Sequence, residues 1–133
     1  MKKTLVTPTH SIASKKIKTI LIVDDDRDIV HAIETILALE NYQTHHAYSG
    51  KECLHSVRTH KPDLILLDYM LPDTTGKELI ASLREIETIS SLPIILISAG
   101  HGVEEIGKDL PIQGWIEKPF ELQDLLDVIA KHH

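Results

Sequence analysis

Asp63-Leu64-Ile65-Leu66-Leu67, followed at once by Asp68, is an apolar run with no polar alternation. A short run of this kind marks a strand buried on both faces, as in a parallel sheet. Lys61-Pro62 stops the segment before it, and a loop with Pro72 and Gly76 follows. Two other runs share its character. Thr19-Ile20-Leu21-Ile22-Val23 lies upstream and Pro93-Ile94-Ile95-Leu96-Ile97 downstream.

Helical spacing fills the gaps between these runs. Ile29, Val30, Ile33, Ile36 and Leu37 mark one helix, which Asn41-Tyr42 ends. Residues 43–48 are polar-rich and suit an edge strand. Ser49 is placed to cap a helix that turns Cys53, Leu54 and Val57 inward. Leu79, Ile80, Leu83 and Ile86 mark a third helix. Residues 100–109 allow a short helix, 112–116 a last strand, and Leu122, Leu125, Leu126 and Ile129 a last helix. Strict β–α alternation predicts an α/β fold, a doubly wound parallel sheet with helices on both faces.

The composition narrows the function. The chain has 133 residues, 42% hydrophobic and 26% charged, enough for one domain with its own core. Aromatics are only 4%, so the core is aliphatic, with 18 Ile and 17 Leu. No apolar run approaches the ~20 residues of a membrane span. Met1-Lys2-Lys3 resembles the start of a signal peptide, but Thr7-Pro8-Thr9-His10 interrupts the apolar stretch. The single cysteine, Cys53, excludes an internal disulfide and suits a cytoplasmic location. The net charge of -6 argues against direct nucleic-acid binding. That charge is uneven: residues 1–18 carry five lysines and no acid, while 19–133 carry the 20 acids. The sequence therefore predicts a basic, disordered tail over 1–18 and one domain over 19–133.

The strand ends carry the chemistry. Val23 leads into Asp24-Asp25-Asp26, Leu67 into Asp68, Ile97 into Ser98, and Ile116-Glu117 into Lys118-Pro119. In parallel α/β sheets ligands bind outside the carboxyl ends of the strands. Clustered carboxylates repel unless a cation intervenes, and Mg²⁺ answers with a preference for oxygen ligands. Lys118 adds a positive charge and Ser98 a hydroxyl, which together suit a phosphoryl group on a carboxylate.

These residues resemble the receiver domains of two-component response regulators. The likeness rests on 20–26, on Pro62 through Asp73 with Gly76, on Pro93 through Ala99, and on Glu117-Lys118-Pro119-Phe120. Asp68 and Ser98 are 30 residues apart, which also fits. The resemblance implies a flavodoxin-like receiver fold with strand order 2-1-3-4-5. It implies that Asp68 accepts the phosphoryl group and that Asp24, Asp25, Asp68 and the Met70 carbonyl hold Mg²⁺. By the same likeness Lys118 contacts a phosphoryl oxygen, aimed by a Lys118-Pro119 bond that is typically cis in the family, and Ser98 and Trp115 form the switch. Trp115 stands where Tyr or Phe is usual. The implied partners are a sensor histidine kinase or histidine phosphotransfer protein and a downstream protein target. The protein is then a phospho-acceptor switch rather than an enzyme, able to lose its own phosphoryl group.

Other features read more plainly. Asp26 suits a helix cap, Asp73 a Pro-Asp turn, and Cys53 a small core position. His45-His46 and His55/His60 are poorly spaced as metal-ligand pairs. A small Mg²⁺ phosphatase of the haloacid dehalogenase type also places Asp-x-Asp after a first strand, but Asp28 departs from its motif. A flavodoxin-like cofactor domain needs a phosphate-binding loop there, and three aspartates repel a phosphate. The short glycine-rich stretch between Ser98 and Lys118 predicts a short, shifted or mobile fourth helix. The sequence stops soon after the last helix, so no effector is expected within it.

Overall fold

A computed structural model describes residues 17–99 and 103–132. Its elements run β1 Thr19–Val23, α1 Arg27–Leu39, β2 Gln43–Ala47, α2 Gly50–His60, β3 Leu64–Asp68, α3 Gly76–Arg84, a 3-10 turn Glu87–Ile89, β4 Ile94–Ala99, α4 Val103–Lys108, β5 Gly114–Lys118 and α5 Leu122–Ala130. The five strands are parallel in the order β2-β1-β3-β4-β5, as expected.

Alternation along the strands builds two cores. Leu21, Val23, Ile65, Leu67, Ile94 and Leu96 face one side, where Cys53 and Val57 of α2 and Leu79, Ile80 and Leu83 of α3 meet them. Ile20, Ile22, Leu64, Leu66, Ile95 and Ile97 face the other, against Val30, Ile33 and Leu37 of α1 and Leu125 and Ile129 of α5. Every residue of β3 is buried, so its run shows no alternation in the sequence.

The helix ends follow local chemistry. Asp26 caps α1, accepting from the Asp28 and Ile29 amides. Ser49 caps α2, accepting from Glu52. Asn41 and Lys61 take positive φ, 69° and 49°, where their helices end.

Several boundaries differ from the sequence reading. Ile17 is buried and the Lys18 amide donates to Asp63 Oδ2 at 3.0 Å, so both belong to the folded body rather than the tail. The rest of the expected tail, 1–16, lies outside the described residues. Asp68 and Ser98 are inside their strands, because the ladder continues past the apolar run to pair Asp68 with Ile97 and Ser98 with Glu117. The last strand is Gly114–Lys118, two residues later than expected, and carries Lys118 at its end. The fourth helix is short, six residues, as expected; residues 100–102 of that segment lie outside the described residues.

Asp73 does more than shape its turn. Its carboxylate accepts from the Gly50 amide at 2.8 Å and the Lys51 amide at 3.1 Å, tying the β3–α3 loop to the start of α2. These bonds hold its carboxyl below the usual carboxylate range. Space is tight here, since a Cβ on Gly50 would lie 2.5 Å from Thr74 Cγ2. Asp73→Ala is expected to cost about 1 kcal/mol at neutral pH, the usual worth of such a cap. A depressed carboxyl stabilises the fold above its unfolded pKa and ceases to do so as pH falls through its folded value. The deficit should therefore shrink in acid, which urea melts at pH 7 and pH 3 would reveal.

Candidate functional site

The carboxyl ends of β1, β3 and β5 meet at one rim. Asp24, Asp25 and Asp68 each offer an oxygen there, and these atoms lie within 4.8 Å of one another. Asp24 and Asp68 are buried, while Asp25 is exposed. The Asp24 amide donates to the Ala47 carbonyl at 3.1 Å, which fixes the turn out of β1. Its carboxylate is engaged on both oxygens: Oδ1 accepts from the Asp26 amide at 2.9 Å and Oδ2 from Lys118 Nζ at 2.8 Å. Lys118 Nζ also reaches Asp68 Oδ1 at 3.4 Å. The Lys118–Pro119 peptide is cis.

One ammonium faces three carboxylates, and the electrostatics show the imbalance. Burial, followed by the Asp24 charge, pushes the Asp68 carboxyl up to about 6, although Lys118 pulls the other way. Lys118 shows the converse. Burial works against its charge, but the Asp24 hydrogen bond and the Asp68 charge outweigh it and raise its pKa. An oxygen-only cluster with excess negative charge fits a hard divalent cation.

The remaining expected residues surround this centre. Ser98 is buried beside Asp68's strand, with its hydroxyl 3.4 Å from the Ala99 carbonyl. Among the described residues it makes no hydrogen bond to Asp68 or Lys118. Met70 sits in the loop after β3, bridged to Thr75, with an exposed side chain. Trp115 lies apart from the carboxylates on the outer part of β5, 38% exposed. A Cβ on Gly107 would stand 2.9 Å from Trp115 Cε3, so the indole lies across the bare backbone of α4.

Among the described residues, the group that could hold a metal contains no histidine. His45 of β2 and His60 at the end of α2 do meet, a pairing their sequence positions do not announce, with ring centroids 3.7 Å apart and planes at 12°. Imidazole lone pairs lie in the ring plane, so stacked rings do not converge on one ion. His46 points elsewhere, its Nδ1 3.0 Å from Glu34. Cys53 is inert: burial, followed by the Asp73 charge, pushes its thiol up to about 12.

Two further features near the site escaped the sequence. Arg27 stacks on Tyr48, its guanidinium carbon 4.0 Å from the ring centroid. An apolar groove of about 540 Å³ runs beside Lys118, lined in part by Ile29, Ile33 and Ile36 of α1 and Leu122 and Leu125 of α5. Ile29, Ile36 and Leu122 carry a core-like pattern, and only the separation of the two helices leaves them in a groove.

Comparison with known proteins agrees with this geometry. The sequence profile of the response regulator receiver domain matches residues 20–130. The response regulator MprA of Mycolicibacterium vanbaalenii is 35% identical over 109 residues, 80% of this chain and 46% of the relative. MprA of Mycobacterium avium is likewise 35% identical, with 47% of its length covered. The chain thus spans about half the length of these relatives. Among solved structures, the chemotaxis response regulator CheY4 of Vibrio cholerae superposes with a TM-score of 0.81 at 26% identity, covering 89% of this chain and all of the other. The receiver domain of NtrX from Brucella abortus gives 0.77 at 27% identity, covering 85% and 96%. Among the described residues no helix is long and apolar enough to cross a membrane. The chain belongs to the response regulator receiver domain family, the signalling switches of two-component systems.

Proposed function

We propose that Asp68 accepts a phosphoryl group from a phosphohistidine on a sensor kinase or phosphotransfer protein, in a cytoplasmic phosphorelay. The observation that carries this reading is the convergence of Asp24, Asp25, Asp68 and Lys118, with Lys118 Nζ spanning Asp24 and Asp68. Asp24, Asp25, Asp68 and the Met70 carbonyl are the groups that would hold Mg²⁺. Bound there, Mg²⁺ offsets negative charge on phosphoryl oxygens.

A free Asp68 oxygen attacks phosphorus in line. The P–N bond to the donor imidazole breaks and its electron pair stays with the imidazole nitrogen. Asp68 must be ionised to attack; without a cation, burial and the Asp24 charge push its carboxyl up to about 6, and a cation held beside it would favour the ionised form. Lys118 moves from the Asp24–Asp68 pair to a phosphoryl oxygen. Ser98, whose hydroxyl has only a long contact in this state, turns to donate to another oxygen. Water attack on phosphorus later returns Asp68 to its free form and ends the signal.

The switch then reads the Ser98 movement through Trp115. The indole is held across Gly107, so α4 moves with the ring or blocks it. A downstream protein would meet that altered face. As the sole tryptophan, Trp115 reports this directly, and its emission is expected to change when Mg²⁺ and a phosphate mimic are added. An unchanged spectrum would remove Trp115 from the switch.

Intact mass after incubation with acetyl phosphate and Mg²⁺ tests the central assignment. Wild type is expected to gain one phosphoryl group and Asp68→Asn none. No gain from either acetyl phosphate or a cognate phosphohistidine donor would defeat the reading.

A further inference from the structure

Asp25 is exposed, and among the described residues its carboxylate has no hydrogen bond or ion pair. A metal ligand with nothing holding its side chain depends on its backbone for position. The Asp26 amide's bond to Asp24 Oδ1 at 2.9 Å closes the turn across Asp25 locally, and two tethers then fix that turn to the rest of the fold, both ending on neighbouring residues of one strand end. On one side the Asp24 amide donates to the Ala47 carbonyl at 3.1 Å. On the other, the Arg27 guanidinium lies over the Tyr48 ring at 4.0 Å. Residues 24 and 27 are thereby pinned to 47 and 48, with Asp25 between them.

Arg27 is otherwise out of place. It is the first residue of α1, where a cation opposes the helix dipole. Asp24, Asp25, Asp26 and Asp28 surround it in sequence, yet its observed contact is with an aromatic face. A residue that breaks a local rule in this way points to a role beyond the helix. Tyr48 is a firm anchor, since its ring packs against the core beneath α1 and its amide donates to Glu52 Oε1 at 3.1 Å.

We propose that the Arg27–Tyr48 stack is a positioning device for Asp25, fixing the loop that presents this carboxylate to a divalent cation. It rests on the assignment of Asp25 as a Mg²⁺ ligand. Groups that orient a metal ligand from behind commonly change affinity by about tenfold or more when removed.

Charge and positioning predict opposite signs for one variant. Removing a nearby cation lowers the repulsion that Mg²⁺ meets, so on charge alone Arg27→Ala binds Mg²⁺ more tightly. Loss of positioning makes binding weaker. Mg²⁺ is titrated calorimetrically into the full chain at neutral pH, with no phosphoryl donor. Arg27→Ala and Tyr48→Leu are each expected to weaken binding about tenfold. Tyr48→Phe keeps the ring face and should stay within about twofold of wild type, since the cation needs only that face. The double variant should be no weaker than either single, because both remove one contact. Arg27 is exposed, so its variant folds even if Tyr48→Leu does not. Unchanged or tighter binding by Arg27→Ala, with Asp25→Asn weakened, overturns this proposal alone. Absent Mg²⁺ binding by wild type, or an Asp25→Asn variant equal to it, overturns the metal assignment and this proposal with it.

Discussion

Asp68→Asn is expected to stabilise the metal-free fold by about 2 kcal/mol at pH 7.5 while abolishing phosphoryl acceptance. The gain comes from the position of Asp68, buried at 8% exposure and facing Asp24. Its carboxyl is pushed from the ordinary 3.8 to about 6, chiefly by burial and then by Asp24. The folded state therefore disfavours the ionised form, despite the Lys118 contact at 3.4 Å. A raised folded pKa contributes stability that is whole below the unfolded value and is lost as pH rises through the folded one. Above pH 6 wild type carries the full penalty, which two pKa units place near 3 kcal/mol at most. One edge of the carboxylate still faces the rim, so about 2 kcal/mol is the better expectation. Asparagine cannot ionise and escapes this cost. The two proteins should thus diverge between pH 4 and pH 7 and match below about pH 4, within the window set by those pKa values.

Urea melts of both proteins across that range, with a chelator present, measure the difference. A constant gap at all pH values would mean that packing, not charge, separates them. Mg²⁺ should then narrow the gap at pH 7.5, because it stabilises the wild-type fold by mass action. The residue proposed as acceptor is in this way one whose charge costs the fold stability when no cation is present. Sites that trade stability for a pre-set charge arrangement behave like this.

How much of this was legible in the sequence depends on where each feature's signal lies. The buried strands β1, β3 and β4 were legible because burial on both faces leaves unbroken apolar runs such as Leu64-Ile65-Leu66-Leu67. The carboxylate cluster was legible because each acid directly follows, or ends, such a run. Trp115 and Lys118 were visible as residues, yet the end of β5 was not, since Glu117 and Lys118 carry no apolar signal while the ladder pairs them with Ser98 and Ala99. The double use of Asp73 was hidden because its acceptors' partners are backbone amides 22 and 23 positions away. Backbone groups are the same at every residue, so long-range bonds to them leave no trace in residue type. The stacking of His45 on His60 was hidden for a related reason: β2 and α2 pack only once the sheet order is set.

Arg84 is the extreme case of such a hidden contact, and Arg84→Ala is expected to cost about 3 kcal/mol. Arg84 ends α3, where a cation suits the helix dipole. Its guanidinium then gathers two separate loops. Nε and one terminal nitrogen donate to the Pro111 carbonyl at 2.9 and 2.8 Å. The other terminal nitrogen donates to the Leu92 carbonyl at 2.7 Å and to Ser90 at 3.0 Å. Gln113 Oε1 accepts from Arg84 at 3.1 Å and from the Ile94 amide at 2.8 Å, which joins the hub to the start of β4. Burial lowers the guanidinium's pKa, yet an arginine stays charged, so each bond that Arg84 donates is charge-assisted. Alanine leaves several carbonyls without a donor, some in half-buried places, and each such group costs about 1–3 kcal/mol unless water reaches it. Arg84→Lys should recover little, because an ammonium cannot serve Pro111, Leu92 and Gln113 at once with a planar fork. Urea melts give the energy, and amide exchange gives the location: protection should fall first at Ile94 and Gln113, whose amides close the junction between β4 and β5. That junction feeds the two strands that carry Ser98 and Lys118 toward the site. A cost below about 1 kcal/mol would place Arg84 among ordinary surface arginines, whose ion pairs and packing rarely exceed that amount.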